Sequence, residues 1–450
     1  MPVEPGDLPA VLAGRAGPAG VRSLLCGPLA RAALQRALLA ALPPGSSVRI
    51  RLRRSTFKPG RTLRAYYDVA SCSDGTAGGC GPDWRRIAVA WTAAGAGPGP
   101  AGDAADPTEA ELRDRGLAGP FSRLRLDDPA AGLQLLVAPL DPAFPQLGRL
   151  CDAAHLRSRL GDYSVTAVRY RPGQRHVLRL DPRGHGRRLF VKVYAGPAAP
   201  VWASATGMAR LLGSWAPVPM LLPGDDAVVW PGAPGAPLSW WLRRDPRAAA
   251  TRLAEAGALL RAIHDARPDR ARAGLPAGPP LEDELAAITR TARHIGVLLP
   301  PVGRRVAEIM ARCGDRLAGC AGEPPTVVHG DYKADHLLAG PDGLTLIDLD
   351  RCAWSDPALD LAKFLADLCW CSRTSGAAGA AALRARFLAG YGACPDERLA
   401  RLQALEPLLL VKMAARRPRL HDPRWAGLTT ALVAEADRLS AERVTSKAVA

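Results

Sequence analysis

TVVHGDYKADHLLAGPDGLTLIDLD, residues 326–350, is a β-rich interruption in a C-terminal half that otherwise repeats its apolar residues at helical spacing. It holds two short apolar strands, each ending in an acid. The first leads into His329-Gly330-Asp331; the second, LTLID, ends at Asp348, with Asp350 two residues on. Pro341-Asp342-Gly343 supplies a turn between them. Two carboxylates about 17 residues apart across such a hairpin can converge on one site for a metal and a phosphate.

Around this segment the helical period predicts helices over 246–266, 281–299, 301–319, 357–371, 377–390, 396–415 and 427–443. Upstream, SVTAVRYRPGQRHVLRL (164–180) reads as strand, Pro-Gly turn, strand, and RRLFVKVY (187–194) as a third strand carrying Lys192. A short helix is expected over Val201–Trp215, bounded by Pro200 and Pro217. AVVWPGAPGAPL (227–238) reads as a strand followed by a Pro/Gly connector, a hinge between lobes.

The same meander occurs earlier. SVRIRLRRSTFKPGRTLRAYYDVA (47–70) is two strands around Lys58-Pro59-Gly60, and RRIAVAWT (85–92) is a third strand. Pro59-Gly60 aligns with Pro172-Gly173 and Arg85-Arg86 with Arg187-Arg188, which sets Ala90 opposite Lys192. This is an internal repeat whose first copy lacks the lysine. Residues 72–83 and 93–107 are rich in small residues and read as loops.

At 450 residues the chain is long enough for two to four domains. With 48% hydrophobic and 23% charged residues, each can bury a core, which excludes wholesale disorder. The net charge of +16 comes from 59 Lys+Arg against 43 Asp+Glu, yet only six of the basic residues are lysine, at 58, 192, 333, 363, 412 and 447. The arginines are scattered along the chain, so a general coding bias accounts for them better than nucleic-acid binding does. The ten cysteines form no CxxC motif, no apolar run reaches about 18 residues, and residues 1–17 lack a leader pattern. The expected setting is cytoplasmic, with no membrane and no nucleic acid as partner.

His-Gly-Asp, then a hairpin, then Ile347-Asp348-Leu349-Asp350, then Asp356-Pro357 and Asp360-Leu361-Ala362 resembles the aminoglycoside phosphotransferase and choline kinase family. FVKVY around Lys192, Gly235-Ala236-Pro237-Leu238 and the helix ending Ile263-His264 extend the resemblance to about residues 160–390. It implies an α+β, bilobal, protein-kinase-like fold with an antiparallel-sheet N-lobe and a mainly helical C-lobe. It also implies ATP and Mg²⁺ as cofactors and a small hydroxylated molecule as acceptor: a sugar, glycoside, aminoglycoside or amino alcohol.

By the same resemblance Asp331 orients the acceptor hydroxyl and accepts its proton, and His329 shapes the catalytic loop. Asp348 holds the metal, while Asp350 is either a second metal ligand or a surface acid. Lys192 pairs with the α and β phosphates. The turn at Arg171 and Gly173 falls where a phosphate-covering hairpin belongs, and Val229 lies on the strand before the hinge. Asp360 buttresses the loop. An aminoglycoside would need acids in the C-lobe, where Glu282, Asp283, Glu284 and Asp356 are available; an acidic helix start also simply complements the helix dipole.

Two positions depart from the family pattern. His336 stands where the family has a metal-binding Asn, and imidazole is the poorer Mg²⁺ ligand. No acid lies between Val193 and Gly224 to pair with Lys192 from the following helix, which leaves Asp225, Asp226 or phosphate alone for that part. An active kinase and a binding protein that has lost turnover therefore both remain open. The expected domains are 1–140, 141–231 and 232–450. The first resembles the cap of bacterial maltokinases; without a counterpart of Lys192 or a catalytic loop, it is expected to pack on the N-lobe or bind a partner protein.

Overall fold

The computed structural model describes residues 8–73, 84–92, 107–269, 273–375 and 379–442. Three helices open it: α1 (Leu8–Leu12), α2 (Gly17–Cys26) and α3 (Pro28–Leu39). They cover a sheet of β1 (Ser46–Lys58), β2 (Thr62–Ser73), β3 (Trp84–Thr92), β4 (Arg125–Asp128) and β5 (Leu133–Val137), with α4 (Pro107–Asp114) between β3 and β4. Next come α5 (Leu147–Cys151) and α6 (Ala153–Leu160). A second sheet follows, of β6 (Tyr163–Arg171), β7 (Arg175–Pro182), β8 (Leu189–Tyr194), β9 (Met220–Leu222) and β10 (Ala227–Pro231). Helix α7 (Ala198–Leu212) lies between β8 and β9.

The two sheets have the same strand order, β1-β2-β3-β5-β4 and β6-β7-β8-β10-β9, and all their pairs are antiparallel. Their hairpins turn in the same way. Arg61 N–H donates to Lys58 C=O and Gln174 N–H to Arg171 C=O, both at 3.0 Å. Pro59 and Pro172 take the second turn position; Gly60 (φ 72°) and Gly173 (φ 66°) take the third, which in a type II turn requires positive φ. The register agrees too. Ala90 faces Arg64, Lys192 faces Val177, and Arg64 and Val177 stand equally far from their turns. The repeat thus covers a whole five-stranded unit with its helix.

The remainder is mainly helical. The connector passes through the two-residue strand β11 (Ala236–Pro237) into α8 (Leu238–Arg244), α9 (Pro246–Asp265), α10 (Leu281–Leu298) and α11 (Pro300–Ala318). The strands β12 (Thr326–Val328), β13 (Leu337–Gly340), β14 (Gly343–Leu346) and β15 (Ala353–Ser355) interrupt the helices. Then α12 (Pro357–Ser375), α13 (Ala380–Tyr391), α14 (Asp396–Arg416) and α15 (Trp425–Ala441) complete the chain. Among the described residues no helix is long and apolar enough to cross a membrane.

Three expectations need correction. The two acid-bearing strands are not partners in one hairpin. β14 pairs with β13, whereas β12 pairs with β15, because the loop of residues 329–336 occupies the chain between β12 and β13. Helix α7 begins at Ala198, ahead of Pro200, since first-turn N–H groups have no helical acceptor and proline is tolerated there; Asp226 Oδ1 accepts the Ala198 N–H at 2.7 Å. The first two residues of 72–83 continue β2. The rest of that stretch, and 93–106, lie outside the described residues.

The first sheet rests mainly on the C-lobe. Leu298, Leu420 and Trp425 belong to the same buried cluster as Val11, Leu34, Phe57, Leu63 and Trp91. It touches the second sheet as well: the Tyr66 and Tyr170 rings lie 6.4 Å apart, edge to face, and Arg86 donates to the Val168 carbonyl.

Candidate active site

β12 delivers the chain into His329-Gly330-Asp331. Gly330 has φ 74°, and a Cβ there would lie 2.3 Å from the Arg351 carbonyl oxygen, so this tight turn requires glycine. The turn is held from behind by the buried carboxylate of Asp360, in the first turn of α12. It accepts the His329 N–H at 2.6 Å and the Gly330 N–H at 2.9 Å. Burial would raise the Asp360 pKa, but His264, His329 and these donors hold it below the ordinary value. His264 is fully buried, 3.8 Å from Asp360 and bonded to the Tyr391 hydroxyl, away from any reacting group.

His329 fixes the loop by using both ring nitrogens. Nδ1 accepts the Asp331 N–H (3.1 Å) and Nε2 donates to the Ile347 carbonyl (3.1 Å). That pattern defines one neutral tautomer, in keeping with a pKa pushed down by burial. It also ties the loop carrying Asp331 to the strand end carrying Asp348.

Two ammonium groups hold the Asp331 side chain: Lys333 Nζ at 2.7 Å from Oδ2 and Lys363 Nζ at 2.5 Å from Oδ1. Burial would raise its pKa, but Lys363, Lys333 and His336 keep it well below the usual carboxylate range. Lys333 is thus engaged at the site.

Across the cleft, the second sheet meets the chain after β14. Lys192 Nζ lies 2.5 Å from Asp348 Oδ1 and 2.9 Å from Asp350 Oδ1, and 4.9 Å from the centre of the Trp230 ring. Arg175, just past the hairpin turn, reaches the same two acids at 3.2 and 2.7 Å. Asp348 has φ 65°, a left-handed conformation that aspartate tolerates better than most residues. Burial opposes its charge, but bonding to His336 and the charges of Lys192 and Arg175 hold its pKa far below normal. Lys192 therefore has acidic partners 156 and 158 residues away in sequence, where the sequence pointed to Asp225 or Asp226. Asp225 is instead buried against Arg149 and His155, and Asp226 caps α7.

His336 bridges the two halves of the site. Its Nδ1 donates to the Asp331 carbonyl at 3.0 Å, and its Nε2 lies 2.9 Å from Asp348 Oδ2. Asp331, His336 and Asp348 each offer one ligand atom, all within 4.8 Å of one another. This is a donor set of two oxygens and one nitrogen, which fits a divalent cation. Asp350 is taken up with Lys192 and Arg175.

Arg171 stands at the hairpin turn among Arg169, Arg54 and Arg175. Burial, then these like charges, lower its pKa to about 10, and no acid pairs with it among the described residues. Gly173 does not offer its N–H to the cleft, because it donates to Asp141 Oδ2 at 2.9 Å. Val229 is a correction. Strand side chains alternate, and Val229 packs with Leu178, Val191 and Leu222 on the face opposite Lys192. Val228 and Trp230, buried in the main core, share the lysine's face.

Residues 169–405 match the sequence model of the phosphotransferase enzyme family. The chain belongs to that family. This member of the phosphotransferase family has a sheet N-lobe and a helical C-lobe. No curated protein matches it. Among solved structures it is similar to a spectinomycin phosphotransferase in complex with ADP and spectinomycin (11% identity, 64% of this chain and 96% of that one, TM-score 0.46). It is also similar to a thermostable aminoglycoside phosphotransferase mutant with ADP and hygromycin B (16%, 65% and 99%, 0.46). A third is an amicoumacin kinase with AMP-PNP and Ca²⁺ (14%, 61% and 88%, 0.45).

Three residues beside the candidate site escaped the sequence reading, Arg175, Lys333 and Lys363. A signal was available for the two lysines: in a chain with only six, each lysine was a candidate. Arg175, one arginine in an arginine-rich chain, carried none.

Proposed function

We propose that the protein transfers the γ-phosphoryl group of ATP to a hydroxyl of a small molecule, with a divalent cation as cofactor. The observation that supports this most is the meeting of Lys192 and Arg175 with Asp348 across the cleft, beside His336 and Asp331. Lys192, Arg175 and Arg171 are the cations that would receive nucleotide phosphates. Asp348 and His336 would hold the metal, which when bound neutralises charge on the transferring group.

In this reading Asp331 orients the acceptor hydroxyl. A carboxylate held so far below its usual pKa is a weak base, so it takes the proton late, after the new oxygen–phosphorus bond has begun to form. That order suits a loose transition state, in which the attacking hydroxyl need not ionise first. Lys333, bonded to the same carboxylate, stands where it can neutralise charge on the phosphoryl oxygens. Its pKa is lowered by burial, in opposition to Asp331. Turnover is therefore expected to stay level through neutral pH and to fall on the alkaline side before an ordinary lysine titrates at about 10.4. Lys333→Arg should move that limb upward; an unmoved limb would assign it to another group.

His336 gives the site a nitrogen donor. Its Nδ1–H is fixed on the Asp331 carbonyl, which directs Nε2 toward Asp348 and the metal position. Nitrogen donors suit Mn²⁺ better than Mg²⁺. His336→Asn is expected to lower the ratio of Mn²⁺ to Mg²⁺ affinity about ten-fold, read as free Mn²⁺ by electron paramagnetic resonance in the presence of AMP-PNP. An unchanged ratio would remove His336 from the metal site.

The same residue favours a second reading, a binding protein without turnover, because both ring nitrogens of His336 face acceptors and its bond to Asp348 fills the metal position. The two are separated by ³¹P nuclear magnetic resonance of the protein with ATP, Mg²⁺ and a pool of hydroxylated acceptors. Transfer gives a phosphomonoester signal matched by ADP. Nucleotide binding without either product supports the second reading.

A further inference from the structure

Four of the six lysines of this arginine-rich chain, Lys192, Lys333, Lys363 and Lys412, gather around this site. Lys192 belongs to the nucleotide side. The others come from the loop after β12, from α12 and from α14: Lys333 and Lys363 contact Asp331, and Lys412 lies within electrostatic reach of Lys363. Lys333 and Lys363 share one carboxylate, so a positive charge is left over where both side chains are less than a fifth exposed. Lys412, 10% exposed, is bonded to Glu284 on α10 and acts electrostatically on Lys363. Arg351 and Arg416 add two exposed guanidinium groups close enough to act on Glu284 and Lys412, and neither has an acidic partner among the described residues.

The acids on this side are already committed. Glu284 is bonded to Lys412, Asp356 to Arg401, and Asp335 and Asp367 to Arg417. Glu282 and Asp283 are exposed in the first turn of α10, where carboxylates complement the helix dipole. A polycationic acceptor would meet ammonium groups, and the carboxylates nearest them, Glu284 and Asp356, are already in ion pairs. An anion would meet cations in excess, partly shielded from water, where charge pairing is strong.

We propose that the acceptor is an anionic hydroxylated molecule, one bearing a carboxylate or phosphate beside its reacting hydroxyl, and that Lys363 and Lys412 receive its charge. The inference rests on the phosphotransferase reading above. The acceptor oxygen forms a bond to the γ-phosphorus, the bond from that phosphorus to the β–γ bridging oxygen breaks, the hydroxyl proton passes to Asp331, and ADP departs with the bridging oxygen.

The test uses the full chain saturated with Mg²⁺ and AMP-PNP, so that the nucleotide's own anion site is filled. Glucuronate, glucose 1-phosphate, glucose and kanamycin are titrated in turn at constant ionic strength, with thermal shift and calorimetry as readouts. At least one of the two anions is expected to stabilise the protein more than glucose or kanamycin does; which one distinguishes carboxylate from phosphate. Lys412→Met is expected to weaken that anion at least about ten-fold. Arg351→Ala, at an exposed position that tolerates truncation, should weaken it less but in the same direction. The proposal is overturned if kanamycin stabilises more than either anion, if neither anion stabilises at all, or if the anion's affinity survives both substitutions. Failure of AMP-PNP itself to bind refutes the kinase reading and is seen before any acceptor is added.

Discussion

Asp331→Asn is expected to lower kcat by roughly 10²- to 10⁴-fold while leaving nucleotide affinity within a few-fold of the parent. The amide keeps the size of the carboxylate and can still contact a hydroxyl, but it takes up no proton and no longer neutralises Lys333 and Lys363. Those ammonium groups, 18% and 17% exposed, can turn toward water on their long stems, so the chain should remain folded. A steady-state assay of ADP formation, with AMP-PNP binding as the control, separates the two effects. Loss of activity and of nucleotide binding together would indicate a structural role for Asp331.

The second large effect concerns stability. Asp360 has no contact with the reacting groups, yet it holds two buried N–H donors at the turn that presents Asp331. Asp360→Ala leaves both without an acceptor and removes the charge beside His264. A cost of about 3–5 kcal/mol is expected. Because the folded-state pKa of Asp360 lies below its unfolded value, its contribution is present above about pH 4 and is lost as pH falls further. The difference in thermal midpoint between parent and variant should accordingly be large at pH 7 and shrink below pH 4. A midpoint equal to the parent's at pH 7 would mean that other acceptors hold the turn.

The bilobal organisation was legible because it is written in local pattern. Apolar spacing located α9 to α15 to within a few residues, and the two Pro-Gly turns aligned the first three strands of each sheet, down to the equivalence of Ala90 and Lys192. Asp331, His336 and Asp348 were each singled out because they lie within 18 residues, in one motif; that Asp331, and not Asp350, joins the other two within 4.8 Å was not legible. What was hidden depends on the third dimension. The pairing of Lys192 with Asp348 and Asp350 spans the cleft, and local sequence pointed toward a helix that has no acid to give. Val229 was placed by its strand, but only the observed pairing shows which face an alternating residue takes. Lys363, on a helix 32 residues beyond Asp331, reaches that carboxylate solely because α12 packs behind the catalytic loop, anchored there by Asp360.

In the proposed function, the charges that meet between the second sheet and the C-lobe form a metal–nucleotide site. The most direct measurement is a calorimetric titration of AMP-PNP into the parent and into Asp348→Asn, each with and without Mg²⁺. Asparagine also tolerates the left-handed backbone at this position, so the substitution removes charge without straining the turn. The expected result is binding to the parent that strengthens with Mg²⁺, and a loss of that Mg²⁺ dependence in the variant. Binding indifferent to Mg²⁺ in the parent, or equally Mg²⁺-dependent in both proteins, would contradict it.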